Sequence, residues 1–451
     1  MTKVISFFTF KDDEVLRNHR YYCQMMGYEH MWVESKFLGH HYMRIAYKYN
    51  VLLEQLKAQP EGGLLMLLDQ HSTVMHPLSL DDMMNGMDSM IITGPTEVNK
   101  PEMVFTNMII LRNTPAIRQT LFDILMALHG RLAGQDLPEE EFLLQKLNVM
   151  PSNTVFGDTF LNITWRITSW TQTKNFIMNF GAPPAFDEHG RIDHNAVHAL
   201  GHDANLERLL IKNINEHVIN GAPLLQRPDY PAISEDAVSH FNPDSKIALV
   251  TLYTHHINTY ARVSEHNVKR YCDRHHYAYH VYRGIPAELD PAINGTWVKS
   301  WLLKNLIANH EWIIWVDADV IFRNPSIKLE PLLEGRDLLF AKDLCAWPIN
   351  AGIMGFRNTP ENIELLARIW ERMVNVKDKS TVYSDQGDQH HTIVELYESN
   401  LINEQNILSS LTINTPPQFS LGDNLLTHYV GWGEPYRSIY MAAHDEDSLK
   451  Y

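Results

Sequence analysis

The sequence predicts an α/β protein made of two tandem halves, and three observations carry that reading. Apolar runs short enough to be strands alternate with stretches of helical spacing in both halves, the pattern of sheets covered by helices. A set of landmarks in the first half recurs, in the same order and at near-constant spacing, in the second. The strongest apolar run, Trp312 to Val316, ends abruptly in Asp317-Ala318-Asp319, as a buried strand does when it reaches a charged site.

In chain order, Val4 to Thr9 is the first expected strand, followed by Asn18, Tyr22-Cys23 and Tyr28. The spacing predicts a helix over Tyr42 to Leu56, with Arg44 near its start, and a strand over Leu64 to Leu68 that ends in Asp69-Gln70-His71. A strand over Met108 to Leu111 leads into Arg112-Asn113-Thr114-Pro115. Thr as N-cap and Pro at the first helical position open a helix that carries Leu121, Ile124, Leu125 and Leu128.

The second half repeats this. Ile247 to Tyr253 is a strand, followed by Asn267, Tyr271-Cys272 and Tyr277, then a helix from Trp297 to Ala308 with Lys299 near its start. After the Asp317/Asp319 strand comes Ile353 to Phe356, then Arg357-Asn358-Thr359-Pro360 and a helix carrying Ile363, Leu366, Ile369, Trp370 and Met373. Such an ordered recurrence reads as a tandem duplication. The expected boundaries are 1–219 for the first domain, 220–246 for a proline-rich linker and 247–451 for the second domain. Aromatics between Asn153 and Asp193 show no period, and the acidic His444 to Asp447 reads as a solvated end.

Composition narrows the function. Hydrophobic residues make up 45% of the 451 positions and charged residues 20%, an ordinary globular balance. A net charge of −16, from 38 basic and 54 acidic residues, argues against a partner bound by neutralising nucleic-acid phosphates. Cys23, Cys272 and Cys345 lie far apart without metal-site spacing, which suits a reducing compartment. No apolar run reaches transmembrane length, and Met1-Thr2-Lys3 leads straight into the first strand. The expectation is a soluble, cytoplasmic protein.

Alternate residues of an extended chain face one side, so Asp317 and Asp319 can share a divalent ion at the carboxyl end of their strand, where ligands bind in open α/β sheets. Hard cations such as Mg²⁺ and Mn²⁺ bind through a few carboxylates together with substrate phosphates. Two such carboxylates also serve as simple turn formers, and the motif alone leaves both readings open.

The second half resembles the retaining GT-A glycosyltransferases that include the fungal Golgi galactosyl/mannosyltransferases and the plant xyloglucan xylosyltransferases. The resemblance runs from about Ile247 to Trp432. It rests on Trp297-Val298-Lys299, Trp312 to Asp319, Asn350-Ala351-Gly352 with Arg357-Asn358-Thr359, Ser384 to Gln389, and Leu425 to Gly431. It implies two GT-A-like, Rossmann-like nucleotide-binding domains and a nucleotide-sugar donor, a uridine diphosphate sugar in preference to a guanosine one, held by Mn²⁺ or Mg²⁺. It also implies transfer of a hexose or pentose to a glycan or small hydroxyl acceptor. Asp317, Asp319 and His428 would then be the metal ligands. Lys299, Asn350 and Gly352 would lie at the donor, and Asp385, Asp388 and Gln389 near the sugar and acceptor. Apolar spacing behind Gln389 favours Asp388-Gln389 over Asp385-Gln386 as the family's Asp-Gln pair. No membrane anchor of the Golgi kind is present, which points away from secretory-pathway acceptors.

In the first half the corresponding residues are Arg44 at the donor, with Asp69, His71 and His198 as metal ligands. His198 lies in Ala196 to Gly201, which resembles Leu426 to Gly431, and Glu139-Glu140-Glu141 stands where the second half has its Asp/Gln stretch. The Ala-Gly pair has no counterpart. Two expectations therefore stand: a second active transferase domain, or a binding domain that has lost catalysis. A nucleotidyltransferase is disfavoured by the lack of a glycine-rich loop, and a non-catalytic sugar-nucleotide-binding protein remains the alternative from another class.

Overall fold

The computed structural model describes residues 2–93, 104–132, 153–156, 176–179, 204–291, 293–343, 347–376, 387–420 and 422–451. The chain divides into two compact units that meet in sequence between Leu225 and Gln226. Both are mixed α/β.

In the first unit the main sheet has the order β2-β1-β3-β6-β5-β7: β1 Thr2–Phe8, β2 Glu29–Glu34, β3 Leu64–Asp69, β5 Ser89–Thr93, β6 Val104–Arg112 and β7 Asn153–Phe156. β1 runs parallel to β2 and β3, and β6 is antiparallel to β3 and β5. A separate ribbon pairs β4 Ser72–Val74 with β8 Ile177–Asn179. The expected helix over Tyr42 to Leu56 is His41–Lys57, and Ile45, Tyr49, Leu52 and Leu56 bury its inner face at helical spacing.

The second unit has the order β16-β14-β15-β12-β10-β11-β9: β9 Val238–Phe241, β10 Ile247–Leu252, β11 Ala278–Tyr282, β12 Trp312–Val316, β14 Leu338–Ala341, β15 Asn350–Arg357 and β16 Ile407–Leu408. Its ribbon pairs β13 Val320–Phe322 with β17 Leu426–His428. Every residue of β12 is buried, because it lies inside the sheet with both faces covered. Read from the other edge, this order matches that of the first unit strand for strand, with β9 added at the margin.

The recurring landmarks do the same work in both units. Asn18 accepts the Val74 N–H at 2.7 Å and donates to the Val74 carbonyl at 2.9 Å; Asn267 does so with Phe322 at 2.6 and 3.1 Å. Each thereby ties its helix to the ribbon strand that follows the charged strand end. Tyr22 and Tyr271 donate to the Leu78 and Ile327 carbonyls at 2.7 and 2.9 Å. Tyr28 and Tyr277 accept the Leu80 and Leu329 N–H groups at 2.9 and 3.2 Å. Thr114 and Thr359 cap their helices, Pro115–Leu132 and Pro360–Val374, as their sequence position requires.

The stretch 220–246, expected as a linker or a packed connecting segment, takes in the last residue of the helix Ala204–Asn220 and the strand β9, which pairs antiparallel with β11 at the sheet edge. The acidic end, expected to be solvated, is so only in part, with Glu446 exposed. His444 and Asp445 are buried on the helix Tyr436–Ser448, where Asp445 accepts hydrogen bonds from Asn267 and Tyr230 at 2.9 Å each and pairs with Arg270. Among the described residues no helix is long and apolar enough to cross a membrane.

Candidate functional site

Asp317 and Asp319 lie in the turn between β12 and β13, so a reversal of the chain brings their carboxylates together, where strand alternation was expected to do so. The antiparallel pairing of β13 with β17 sets His428 opposite Val320, and the Tyr429 N–H reaches the Asp319 carbonyl at 3.0 Å. One donor atom each from Asp317, Asp319 and His428 lie within 4.8 Å of one another. His428 Nε2 stands 3.1 Å from Asp319 Oδ1 and 3.9 Å from Asp317 Oδ2.

The next layer orients these groups. His428 Nδ1 meets Asn414 Oδ1 at 2.7 Å; an amide oxygen there accepts the Nδ1 proton and turns Nε2 towards the carboxylates. The Trp315 indole N–H donates to Asp317 Oδ1 at 2.6 Å. Gly352 sits behind the imidazole. A Cβ at this position would fall 2.2 Å from His428 Cε1 and 2.7 Å from Nδ1, so only glycine leaves room for the ring.

Lys299 was expected beside the donor diphosphate. It lines the cavity that Asp317 and Asp319 border, its ammonium buried between two carboxylates, 2.9 Å from Asp317 Oδ1 and 3.0 Å from Asp388 Oδ2, and it donates to the Ala351 carbonyl at 3.3 Å. Burial alone would lower its pKa, but the charges of Asp317 and Asp388 outweigh that and raise it, so it stays a fixed cation. Asp388 is thus linked to the metal-type cluster through Lys299. Gln389 accepts the Ala351 N–H at 3.0 Å and donates to Asp343 at 3.1 Å, bracing the bend at the start of β15, where its pairing with β14 shifts register. Asn350 accepts the Gly352 N–H through its own side chain at 2.9 Å, which shapes that bend. Asp385 lies outside the described residues.

Sequence reasoning missed Arg437. It stands 3.1 Å from Asp319 Oδ2 and lies over the Tyr260 ring at 4.7 Å. No spacing rule singles it out, because the helix Tyr436–Ser448 brings it to the site from far along the chain. Burial would raise the Asp319 pKa, but His428 and Arg437 hold its carboxyl well below the usual range. Asp317 is pushed up by burial, with Asp319 beside it, against the pull of Lys299. Lys299, Asp317, Asp319 and Arg437 border a cavity of about 380 Å³ at the carboxyl ends of β10 and β12, lined also by Thr254, Asn294 and Thr296. It can admit a small polar anion together with a cation.

The first unit arranges the equivalent positions differently. Asp69 Oδ1 accepts the His71 N–H at 2.8 Å and the Ser72 hydroxyl at 3.0 Å, and Oδ2 accepts Asn107 Nδ2 at 2.5 Å. His71 has both ring nitrogens engaged, Nε2 with Gln70 at 3.1 Å and Nδ1 with Glu207 at 2.9 Å. Asn179 stands opposite Ser72, as His428 stands opposite Val320. His198 and Glu139 to Glu141 lie outside the described residues. Beside Arg44, the structure adds Lys48, which is buried and whose charge acts on Asp69.

Residues 244–339 match the galactosyl transferase GMA12/MNN10 family. The matched stretch holds β10, β12 and both aspartates. Over 93 residues the chain is 34% identical to "Probable glycosyltransferase 2" of Oryza sativa subsp. indica, covering 18% of this chain and 19% of that relative's length. Similar solved structures include a glycosyltransferase involved in the glycosylation of the major capsid of PBCV-1 (19% identity, 43% of this chain, 98% of that one, TM-score 0.33). The galactosyltransferase LgtC with donor and acceptor sugar analogues is another (15%, 45%, 95%, TM-score 0.27). Neither structural likeness is close enough to bear on the chemistry.

Proposed function

We propose that the second unit is a divalent-cation-dependent, retaining glycosyltransferase that moves a hexose or pentose from a nucleotide-diphosphate sugar to a hydroxyl acceptor such as a glycan. The observation that carries this is the convergence of Asp317, Asp319 and His428 within the stretch that matches a galactosyltransferase family. An imidazole alongside two carboxylates suits Mn²⁺ better than Ca²⁺. A bound cation would supply charge neutralisation for the departing nucleoside diphosphate. The protein's own residues do the rest. Lys299 fixes Asp317 and Asp388 relative to each other. Arg437 can turn from Asp319 towards an entering diphosphate, where a guanidinium pairs well with phosphate oxygens. Asp388, held by Lys299, is the carboxylate we assign to the sugar, on its link to Asp317 through that lysine.

The shared strand order and the matching asparagine and tyrosine clamps support an origin of both units by tandem duplication. The engaged lone pairs of Asp69 and His71 favour a first unit that does not perform the same metal-dependent transfer.

The deciding experiment incubates the protein with UDP- and GDP-sugars, with and without Mn²⁺, and follows release of nucleotide and sugar. Proton NMR of the first-formed sugar anomer reports retention. Metal-dependent release that disappears in Asp319→Ala is expected; a rate indifferent to metal and to that substitution would overturn the reading.

A further inference from the structure

We propose that the first unit carries a second anion site, which binds the diphosphate of a nucleoside diphosphate through cationic side chains and without a divalent ion. This goes beyond the reading of the second unit, since it concerns other residues and does not depend on catalysis there.

The site is a cavity of about 360 Å³ at the carboxyl ends of β1 and β3, the ligand-binding end of an open α/β sheet. Its lining includes Arg44, Lys48, His41 and His71, with Asp69 as the one acidic residue among those described. In a chain of net charge −16, such a local excess of positive charge selects for an anion. Asp69 offsets part of this charge, chiefly that of Lys48, while its oxygens are bonded to Ser72, Asn107 and the His71 N–H and not to Arg44. The half-buried Arg44 guanidinium makes no ion pair or hydrogen bond among the described residues, although it borders the cavity. It stands in the first turn of the helix His41–Lys57, where the backbone dipole also favours negative charge.

Among the described residues the geometry suits a metal less well than in the second unit, where His428 Nε2 turns to two carboxylates. Here His71 turns Nδ1 to Glu207 and Nε2 to Gln70. A cation would have to break those bonds and strip Asp69 of its partners. A diphosphate requires neither, because guanidinium and ammonium groups bind phosphate oxygens directly. On the rim, the 57% exposed Phe10 ring offers a face on which a nucleoside base can stack.

The test uses the full chain carrying Asp317→Asn and Asp319→Asn, so that the second unit's metal cluster is disabled, in buffer with EDTA. Isothermal titration is run with UDP, inorganic pyrophosphate and uridine. UDP and pyrophosphate should bind. Arg44→Ala should weaken both by about tenfold or more, the scale of one lost charge-assisted contact, while Arg44→Lys retains most of the affinity. Circular dichroism melting checks that each variant is folded. Absence of UDP and pyrophosphate binding in EDTA would overturn the proposal, as would binding that returns only with Mn²⁺. Uridine binding as tightly as UDP, or an Arg44→Ala variant that binds both anions like the parent, would overturn it too.

Discussion

Replacing Gly352 by alanine tests the geometry of the metal-type cluster more sharply than removing a ligand does. The added methyl would lie 2.2 Å from His428 Cε1, and ordinary contact begins near 3.4 Å, so the imidazole must retreat by about 1.2 Å or the β15 bend must open. Metal–ligand distances tolerate about 0.2 Å, so a retreat of that size takes Nε2 out of coordination range. It also pulls Nδ1 away from Asn414, to which it is bonded at 2.7 Å. The expected result is a fall in Mn²⁺ affinity of about tenfold to a hundredfold, the scale seen when the support of a metal ligand is lost. Overpacking should cost a further 1–3 kcal/mol or so of stability. Titration calorimetry with Mn²⁺ and urea unfolding measure the two effects. A double-mutant cycle isolates the cause: in a His428→Ala background the methyl meets no ring, and Gly352→Ala should then cost little. Wild-type Mn²⁺ affinity in Gly352→Ala, or an equal stability loss in both backgrounds, would refute the reasoning.

Asp319→Ala should abolish sugar transfer and leave the circular dichroism spectrum unchanged, since the residue lies in a turn and faces charged partners; retained activity would remove it from the site. Asn414→Leu should weaken Mn²⁺ binding by about tenfold, because His428 loses the acceptor that fixes its tautomer, and unchanged affinity by calorimetry would show that bond to be idle. A third expectation concerns pH. His280 bridges His240 at 2.6 Å and His310 at 2.8 Å, and burial, followed by these two rings, lowers its pKa to about 3. Its folded value is below its unfolded one, so its contribution to stability is complete above pH 6.5 or so and declines as the pH falls towards 3. The slope is at most about 1.4 kcal/mol per pH unit. Urea midpoints measured from neutral pH downward should fall on this account, and His280→Leu should flatten the profile; a parallel slope in that variant would refute the assignment.

The landmarks legible in the sequence were mostly the ones that hold the fold. Asn18 and Asn267, or Tyr28 and Tyr277, recur because each satisfies a backbone group that burial would otherwise leave unpaired, and no other residue of that size both donates and accepts there. The strand end at Asp317 and Asp319 was legible for the same reason: a wholly apolar strand stops where charge begins. Other parts were not. Arg437 and Asn414 reach the site from distant segments that carry no local signal, and the exchange partners of Lys299 depend on burial that a sequence does not display. The acidic end was misjudged because a buried aspartate and a solvated one look alike until Asn267, Tyr230 and Arg270 are placed around it.

One pair of contacts explains why two units with the same strand order offer different chemistry. In the second unit Asp319 meets Arg437 at 3.1 Å; in the first, His71 meets Glu207 at 2.9 Å. Each pair joins the charged strand end to a helix that also braces the clamping asparagine, through Asp445 in one unit and Asn215 in the other. The contact is kept while its carboxylate moves from strand end to helix. With the acid on the strand end, two carboxylates and an imidazole converge and attract a cation. With the acid on the helix, the strand end presents a histidine already bonded to its partner, beside Arg44 and Lys48, and the cavity favours an anion directly. Moving the carboxylate of the first unit back to its strand end, His71→Asp with Glu207→Arg, should therefore introduce Mn²⁺ binding at the expense of metal-free diphosphate binding. Calorimetry on that double variant in the Asp317→Asn, Asp319→Asn background measures both at once. Diphosphate affinity unchanged from the parent would show that the place of this carboxylate does not govern what the cavity accepts.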